Sequence, residues 1–410
     1  MSRVQPSSRH RPLIRSSPSS KPGWQSSPRN VPLGLPGSDV LLARHLRVRG
    51  ALDASGLDAL IVTTPANIRY LANHVGTAGT LILTRTGMHL LVDFRYKESV
   101  RARQESPAAC PGLGIVDVPD SYDEALVAAT MALPGRVIGI EAGHLTVARQ
   151  EWLIRTWQSR GAEITLRSTE RFVERFRAIK DAAEVTVLRQ AAKGLTAVAG
   201  KAMSAVRAGI AEREVAAVIE SALREAGYER PAFDTIVASG PNSALPHYRA
   251  GDRTLHTGDL VVLDFGGVLD GYCSDLTRTV SVGQPSPDAL RLHAAVRDAQ
   301  TAAIEAVKPG ITTADVDAAA RQVLVGHGLG EAFGHGTGHG LGLDVHEEPR
   351  VSKPRSDVPP VRLEPGMVFT IEPGAYLTGF GGVRIEDDVL VTETGCEVLT
   401  SVPRDLRVCG

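Results

Sequence analysis

One stretch constrains this chain more than any other: Gly334-His335-Gly336-Thr337-Gly338-His339-Gly340-Leu341-Gly342-Leu343-Asp344-Val345-His346-Glu347. His335 and His339 have the i,i+4 spacing that would align them on a helix. The glycines at 336, 338 and 340 argue against a helix, because each costs about 1 kcal/mol there relative to alanine. The stretch therefore reads as a loop that brings backbone and imidazoles close to something small. Imidazole serves as a metal ligand and as an acid/base group, so the question becomes whether the chain supplies carboxylate partners.

The composition limits the alternatives. A chain of 410 residues holds two domains, each with its own core. The formal net charge is −1 and aromatics make up 4%, so neither nucleic acid nor an anionic membrane surface is indicated. No apolar run approaches the ~18 residues of a membrane span. Cys110, Cys273, Cys396 and Cys409 form no C-x-x-C pair. They read as reduced thiols, which suggests a cytoplasmic protein rather than a disulfide framework.

Residues 1–38 are rich in Ser, Pro and Arg and contain no acid. They lack an apolar secretory core and read as a disordered tail. Residues 39–172 alternate helical and strand patterns and suggest a smaller α/β domain. A helix is expected from Val40 to Ser55, with Leu41, Leu42, Leu46 and Leu52 inward and Gly56 closing it. Thr80–Thr84 and Met88–Val92 flank a turn at Arg85-Thr86-Gly87. Ser121 and Glu124 form a capping box, strand pattern follows at Val137–Ile140, and helix at Val147–Ser159. No phosphate-binding glycine fingerprint is present.

Residues 173–410 form the second domain, of α+β type. Long helical periods run over Asp181–Val206 and Ala211–Ala226. Ser286-Pro287 and Thr312-x-x-Asp315 open two more helices. Strand-like segments interleave with them. The connections at 107–120 and 350–362 are proline-rich and carry no pattern.

The carboxylates lie in the apolar segments. Asp264 sits inside Leu260–Phe265, and an unpaired buried charge there would be costly. Asp275 follows after a turn at Asp270-Gly271, so a hairpin would bring the two acids side by side. Like charges that close repel unless a proton or cation lies between them. Glu372 and Glu386 repeat the situation in Phe369–Gly374 and Val383–Asp388. Asp387 and Asp388 read as solvated or structural. Four acids and a histidine suit two divalent cations, which activate a water at neutral pH. Oxygen-rich ligation with one imidazole favours Mn(II), Co(II), Zn(II) or Fe(II) over copper.

Together these segments resemble the Xaa-Pro peptidases, aminopeptidase P and prolidase. The resemblance rests on Asp264 and Asp275, the His335–Glu347 loop, Thr370-Ile371-Glu372-Pro373-Gly374 and Val383–Asp387. It covers the chain from about residue 40. Asn67-Ile68-Arg69-Tyr70-Leu71 looks like part of the creatinase/prolidase N-terminal domain. The resemblance implies a pita-bread metallopeptidase catalytic domain behind a smaller α/β domain. It implies metal ligands Asp264, Asp275, His339, Glu372 and Glu386. It implies catalytic roles for His247, His346 and Glu372, and substrate-side or supporting roles for His335, Arg384 and Tyr376. The cofactor expected is two divalent ions, manganese ahead of cobalt or zinc. The substrates expected are small peptides with proline second, cut at the Xaa-Pro bond. A homodimer or larger homo-oligomer is expected. Whether dipeptides or longer peptides are cut stays open. The alternatives are hydrolysis of another small amide on the same fold, creatinase-type chemistry without metals, and a non-catalytic binding module.

Overall fold

The computed structural model describes residues 1–2, 35–354 and 359–410. Residues 3–34 of the expected tail and 355–358 of the proline-rich connection lie outside the described residues.

The first sheet assembles around β1 (Ala59–Val62), buried throughout. Helix α1 (Ser38–Ala54) precedes it and α2 (Pro65–Ala72) follows. Next come β2 (Thr80–Thr84), β3 (Met88–Val92), α3 (Phe94–Gln104), β4 (Leu113–Asp117), α4 (Tyr122–Met131), β5 (Val137–Glu141), α5 (Val147–Ser159) and β6 (Thr165–Thr169). The strand order is β4-β3-β2-β1-β5-β6, with β2 and β3 forming the expected hairpin. Helix α1 corrects the expected inward face. Leu41 and Leu52 are buried, but Leu42 and Leu46 are 44% and 62% exposed. The buried stripe runs through Leu41, Arg44, His45, Val48 and Leu52. Arg44 in it donates to Asp181 (2.6 Å) and to the Tyr70 carbonyl (2.9 Å), and His45 Nε2 meets the Leu71 carbonyl (2.6 Å), while His45 Nδ1 finds no partner among the described residues. Helices α2 and α3 and strands β4 and β6 had no expectation from sequence.

The second half opens with α6 (Glu174–Arg177), α7 (Ala182–Ala205) and α8 (Glu212–Glu225). Asp181 caps α7 in a capping box with Glu184. Strands β7 (Arg230–Pro231), β8 (Ile236–Ser239), β9 (Leu260–Leu269) and β10 (Tyr272–Val282) follow. Helices α9 (Pro287–Ala306) and α10 (Thr313–Gly326) start at the expected caps, Ser286 and Thr312. The remaining strands are β11 (Gly338–Gly340), β12 (Glu347–Val351), β13 (Val368–Ile371), β14 (Gly374–Leu377), β15 (Gly381–Arg384), β16 (Asp387–Val391), β17 (Cys396–Val398) and β18 (Arg407–Cys409).

Two similar layers result. Helices α7 and α8 pack Leu195, Val198, Val215 and Ile219 onto Leu263, Phe265, Leu276 and Val280 of β9 and β10. Helices α9 and α10 pack Leu292, Val296, Val316 and Ala320 onto Phe369, Ile371, Val389 and Val391 of β13 and β16. Each sheet is covered by two helices on one face. The other faces meet, and the acids singled out above lie where they meet.

Candidate active site

The β9–β10 hairpin sets the first two acids. Its register pairs Asp264 with Thr277 and Asp275 with Gly266. The acids are thus diagonal neighbours on one face, two positions apart, rather than directly opposite. Thr277 and Thr279 then fix the segment bearing Glu386. The Thr277 hydroxyl donates to Glu386 Oε2 (2.5 Å), and the Glu386 N–H donates to the Thr277 carbonyl (3.1 Å). Thr279 Oγ1 donates to the Arg384 carbonyl and accepts from its N–H, at 3.0 and 3.1 Å.

The glycine loop is anchored from α10. Asp317 accepts from the Thr337 N–H and hydroxyl (3.1 and 2.9 Å), and Arg321 donates to the His335 carbonyl (2.9 Å). The loop is not helical. It ends in the short strand β11, paired with β12 and β13. Glycine is required at 338 and 340, where a Cβ would overlap the carbonyl oxygens of Thr370 and Glu348. That close approach puts His339 against the acids: its Nε2 lies 3.5 Å from Glu372 and 3.9 Å from Asp275. His339 Nδ1 faces the Gly340 carbonyl at 3.1 Å and therefore carries the proton. The Nε2 lone pair is left directed at the carboxylates.

Asp264, Asp275, His339, Glu372 and Glu386 line one cavity of about 420 Å³, together with His247, His335, His346 and Arg384. Donor atoms of Asp275, His339 and Glu386 lie within 4.8 Å of one another. Asp264 Oδ1, Asp275 Oδ1 and Glu386 Oε1 are buried and find no hydrogen-bond partner among the described residues. Burial, with Asp264 close by, pushes the Asp275 carboxyl far above its ordinary range. Glu386 is pushed up in the same way by burial and by Asp275. Burial and Asp264 raise Glu372 to about 8 against the pull of Arg384. Burial, with His346 nearby, lowers His339 to about 4, so its imidazole is neutral at pH 7. Crowded acids with orphaned oxygens and a neutral imidazole form a donor set that a divalent cation satisfies, and its charge would ionise the carboxyls. The residues present therefore fit metal ions.

Arg384 and Tyr376 flank this centre. Arg384 Nη2 pairs with Asp264 Oδ2, and Nη1 donates to the Tyr376 hydroxyl (2.7 Å). Tyr376 lies behind the cavity wall and bonds His335 Nε2 (3.0 Å), while His335 Nδ1 donates to the Gly336 carbonyl (2.8 Å). His346 stacks edge-on against His339, with ring centroids 4.3 Å apart. A second cleft of about 380 Å³ shares Gly336, Gly338, His339 and His346 with the cavity and extends to Arg171, Glu174, Glu348 and Arg350.

Asp387 and Asp388 are not solvated; they are 0% and 1% exposed. Asp387 accepts from Arg278, Gln300, Thr400 and Arg404, and Asp388 from Ser274 and the Asp275 N–H. Arg278 of β10 and Arg404 balance the charge of Asp387, whereas Asp388 has only the uncharged donors, and burial raises its carboxyl to about 7. Glu212, overlooked in the sequence, is also fully buried. It accepts from the Ser239 N–H and hydroxyl (2.8 and 2.6 Å), Asn242 (3.0 Å) and the Gly251 N–H (3.4 Å). It thereby holds both ends of the loop bearing His247. An isolated Glu at a helix start carries no sequence signal of that role.

Comparison with known proteins agrees with this geometry. Residues 186–393 match the model of metallopeptidase family M24, and residues 44–179 match the creatinase/prolidase N-terminal domain. The chain belongs to metallopeptidase family M24. It is therefore a metallopeptidase, with divalent metal as its cofactor class. It is 37% identical to a Xaa-Pro dipeptidase from Bacillus anthracis, over 90% of this chain and 99% of that one, with a TM-score of 0.83. It is 34% identical to a Xaa-Pro dipeptidase of Pyrococcus horikoshii, over 90% of this chain and 99% of the relative. An X-Pro aminopeptidase from Thermotoga maritima is 33% identical over 89% and 99%, with a TM-score of 0.78. Among the described residues no helix is long and apolar enough to cross a membrane.

Proposed function

We propose that this M24 metallopeptidase hydrolyses the Xaa-Pro bond of small peptides with two divalent cations, manganese first among them. The convergence of Asp264, Asp275, His339, Glu372 and Glu386 on one cavity with His247 and His346 supports this reading. The names of its M24 relatives supply the proline preference, and they include both a dipeptidase and an aminopeptidase.

Asp264, Asp275, His339, Glu372 and Glu386 would hold the ions. When bound, the ions polarise the scissile carbonyl and lower the pKa of an attacking water. Glu372 takes the proton from that water and delivers it to the departing proline nitrogen. His247 and His346 donate hydrogen bonds to the carbonyl oxygen as it gains charge. His346 is held neutral by burial, with Arg350 and His247 contributing, which suits a donor without a full charge. His335 and Arg384, supported by Tyr376, form the wall against which the substrate rests. The adjoining cleft gives a longer peptide room beyond the proline.

We further take residues 39–172 and 173–410 as the two domains, and a cytoplasmic homodimer or larger homo-oligomer as the working form. The deciding assay uses purified protein with Mn(II) or Co(II), Gly-Pro, Ala-Pro and Xaa-Pro-Yaa tripeptides, and Glu372→Ala as control. Tripeptide cleavage after the first residue, abolished in the control, means aminopeptidase action. Cleavage of dipeptides alone means dipeptidase action. No metal-dependent cleavage of either sinks the proline reading and favours another small amide.

A further inference from the structure

Helix α2 carries the Asn67–Leu71 segment and lines neither the cavity nor the adjoining cleft. Its polar side chains nevertheless reach toward both. Asn67 is fully buried and every polar atom of its amide is used. Its Nδ2 donates to Glu141 Oε1 (2.6 Å) and Glu174 Oε1 (2.7 Å), and its Oδ1 accepts from Arg177 Nη1 (2.8 Å). Glu141 is fixed in turn, because its other oxygen accepts from the N–H groups of Thr63 and Thr64 at the start of α2 (2.6 and 2.8 Å).

Arg177 passes the connection across the chain. Its Nη2 donates to Asp344 Oδ2 (2.7 Å) and to Glu347 Oε2, while Lys180 holds Glu347 Oε1 (2.7 Å). Both oxygens of Glu347 are thereby fixed. Glu347 follows His346 directly and is the register partner of Gly340, which follows His339. On its other side α2 presents Arg69, which donates to the Asp270 carbonyl. The Arg69 guanidinium fills the place a Cβ would take on Gly271, at the turn of the β9–β10 hairpin. That hairpin carries Asp264 and Asp275.

One helix of the N-terminal domain thus grips two segments of the M24 domain that are more than 60 residues apart. These segments present three of the five ligand candidates, and the acids among them repel one another when no cation is present. We propose that Asn67 and Arg69 are positioning residues for the metal centre, Asn67 acting through Arg177 and Glu347 on the His339–His346 loop and Arg69 acting on the Asp264–Asp275 hairpin. This rests on the reading of those side chains as metal ligands.

The test measures Mn(II) binding by titration calorimetry on full-length protein stripped with chelator, so it needs no substrate. Asn67→Ala and Arg69→Met are each expected to weaken Mn(II) binding about tenfold, the lower end of what loss of a supporting hydrogen bond costs a metal site. Arg177→Lys keeps the charge but loses the planar fork that spans Asn67 and Glu347, and is expected to weaken binding similarly. Leu126→Ala serves as the control. It opens a cavity on the opposite face of the same sheet and should lower the melting temperature while leaving Mn(II) affinity within twofold. The proposal is overturned if folded Asn67→Ala and Arg69→Met bind Mn(II) within twofold of the wild type, or if Leu126→Ala loses as much affinity as they do. Should Asn67→Ala fail to fold, Arg177→Lys and Arg69→Met decide by the same criterion. A wild type that binds Mn(II) tightly yet cleaves no Xaa-Pro peptide removes the substrate reading and leaves this comparison intact.

Discussion

Asp264 and Asp275 stand on one face of a single hairpin, two register positions apart, each with a buried oxygen that no hydrogen bond from the described residues satisfies. Without a cation, either the two charges repel or Asp275 must hold a proton that its raised carboxyl pKa allows, and both cost stability at neutral pH. Chelation should therefore lower the melting temperature and Mn(II) should restore it. At a hundredfold excess over Kd the recovered stability is about 2.7 kcal/mol. Asp275→Asn should reverse the pattern. The chelated variant gains stability at pH 8, because an amide spares the fold the cost of either protonating the buried carboxyl or keeping it charged, while Mn(II) binding weakens at least tenfold. Differential scanning calorimetry with and without chelator measures both. A variant no more stable than chelated wild type would refute the repulsion argument.

Tyr376 joins His335 to Arg384 through one hydroxyl. Tyr376→Phe keeps the ring but leaves a buried imidazole nitrogen and a guanidinium N–H without that partner. The expected stability cost is about 1–3 kcal/mol. Arg384 also pairs with Asp264, so its loosening reaches the metal centre, and kcat should fall more than KM rises. Steady-state kinetics on Ala-Pro with the Mn(II)-loaded enzyme tests the split. An unchanged kcat would reduce Tyr376 to a packing role.

Much of this was readable in the sequence, for physical reasons that also mark the boundary. Capping residues act within three or four positions, so Ser121, Ser286 and Thr312 were identified as N-caps, although Glu124 pairs with Arg160 and the full capping box expected at Ser121 is not formed. The hairpin turn at Asp270-Gly271 and the acids inside apolar strands are likewise local patterns. Leu42 and Leu46 misled because α1 buries Arg44 and His45 instead, and their partners lie in α2 and at the start of α7, which no local window includes. Asp387 and Asp388 read as either solvated or structural, and the sequence could not choose because Arg278 and Gln300, which neutralise or bond Asp387, are about a hundred residues away. Arg177 and Glu212 were silent for the same reason, and Asn67 marked a resemblance without showing its role. A single polar residue has no period, and its role is set wholly by what the tertiary fold brings to it.

Glu212 holds the His247 loop at Ser239, Asn242 and Gly251. Glu212→Gln preserves volume but replaces one accepting oxygen with a donor that meets the Gly251 N–H. The loop should loosen at that end, and kcat/KM for Ala-Pro should fall about tenfold, since small misplacements of a reacting group are costly. Mn(II) affinity should stay within about twofold, because the substitution touches no ligand. Kinetics beside calorimetry separates these readouts. Loss of metal binding in a folded variant would mean that Glu212 supports the centre itself.

His293 provides a pH test away from the metal centre. It lies buried in α9, and burial, aided by Arg297 and Arg278 and opposed by Asp405, lowers it to about 4. The ordinary value in the unfolded chain is about 6.5. Because the folded value is the lower one, the unfolded state binds the proton more readily between pH 6.5 and 4. His293 therefore costs nothing above pH 6.5, and stability falls as pH drops from there toward 4. The full loss is about 3 kcal/mol, at 1.36 kcal/mol per unit. His293→Gln removes the titration. Urea unfolding of chelated wild type and variant at pH 7 and pH 4.5 should find the difference between them shifting by about 2–3 kcal/mol in favour of the variant at the lower pH. Parallel curves for the two proteins would mean that His293 takes up its proton in the fold as easily as in the open chain.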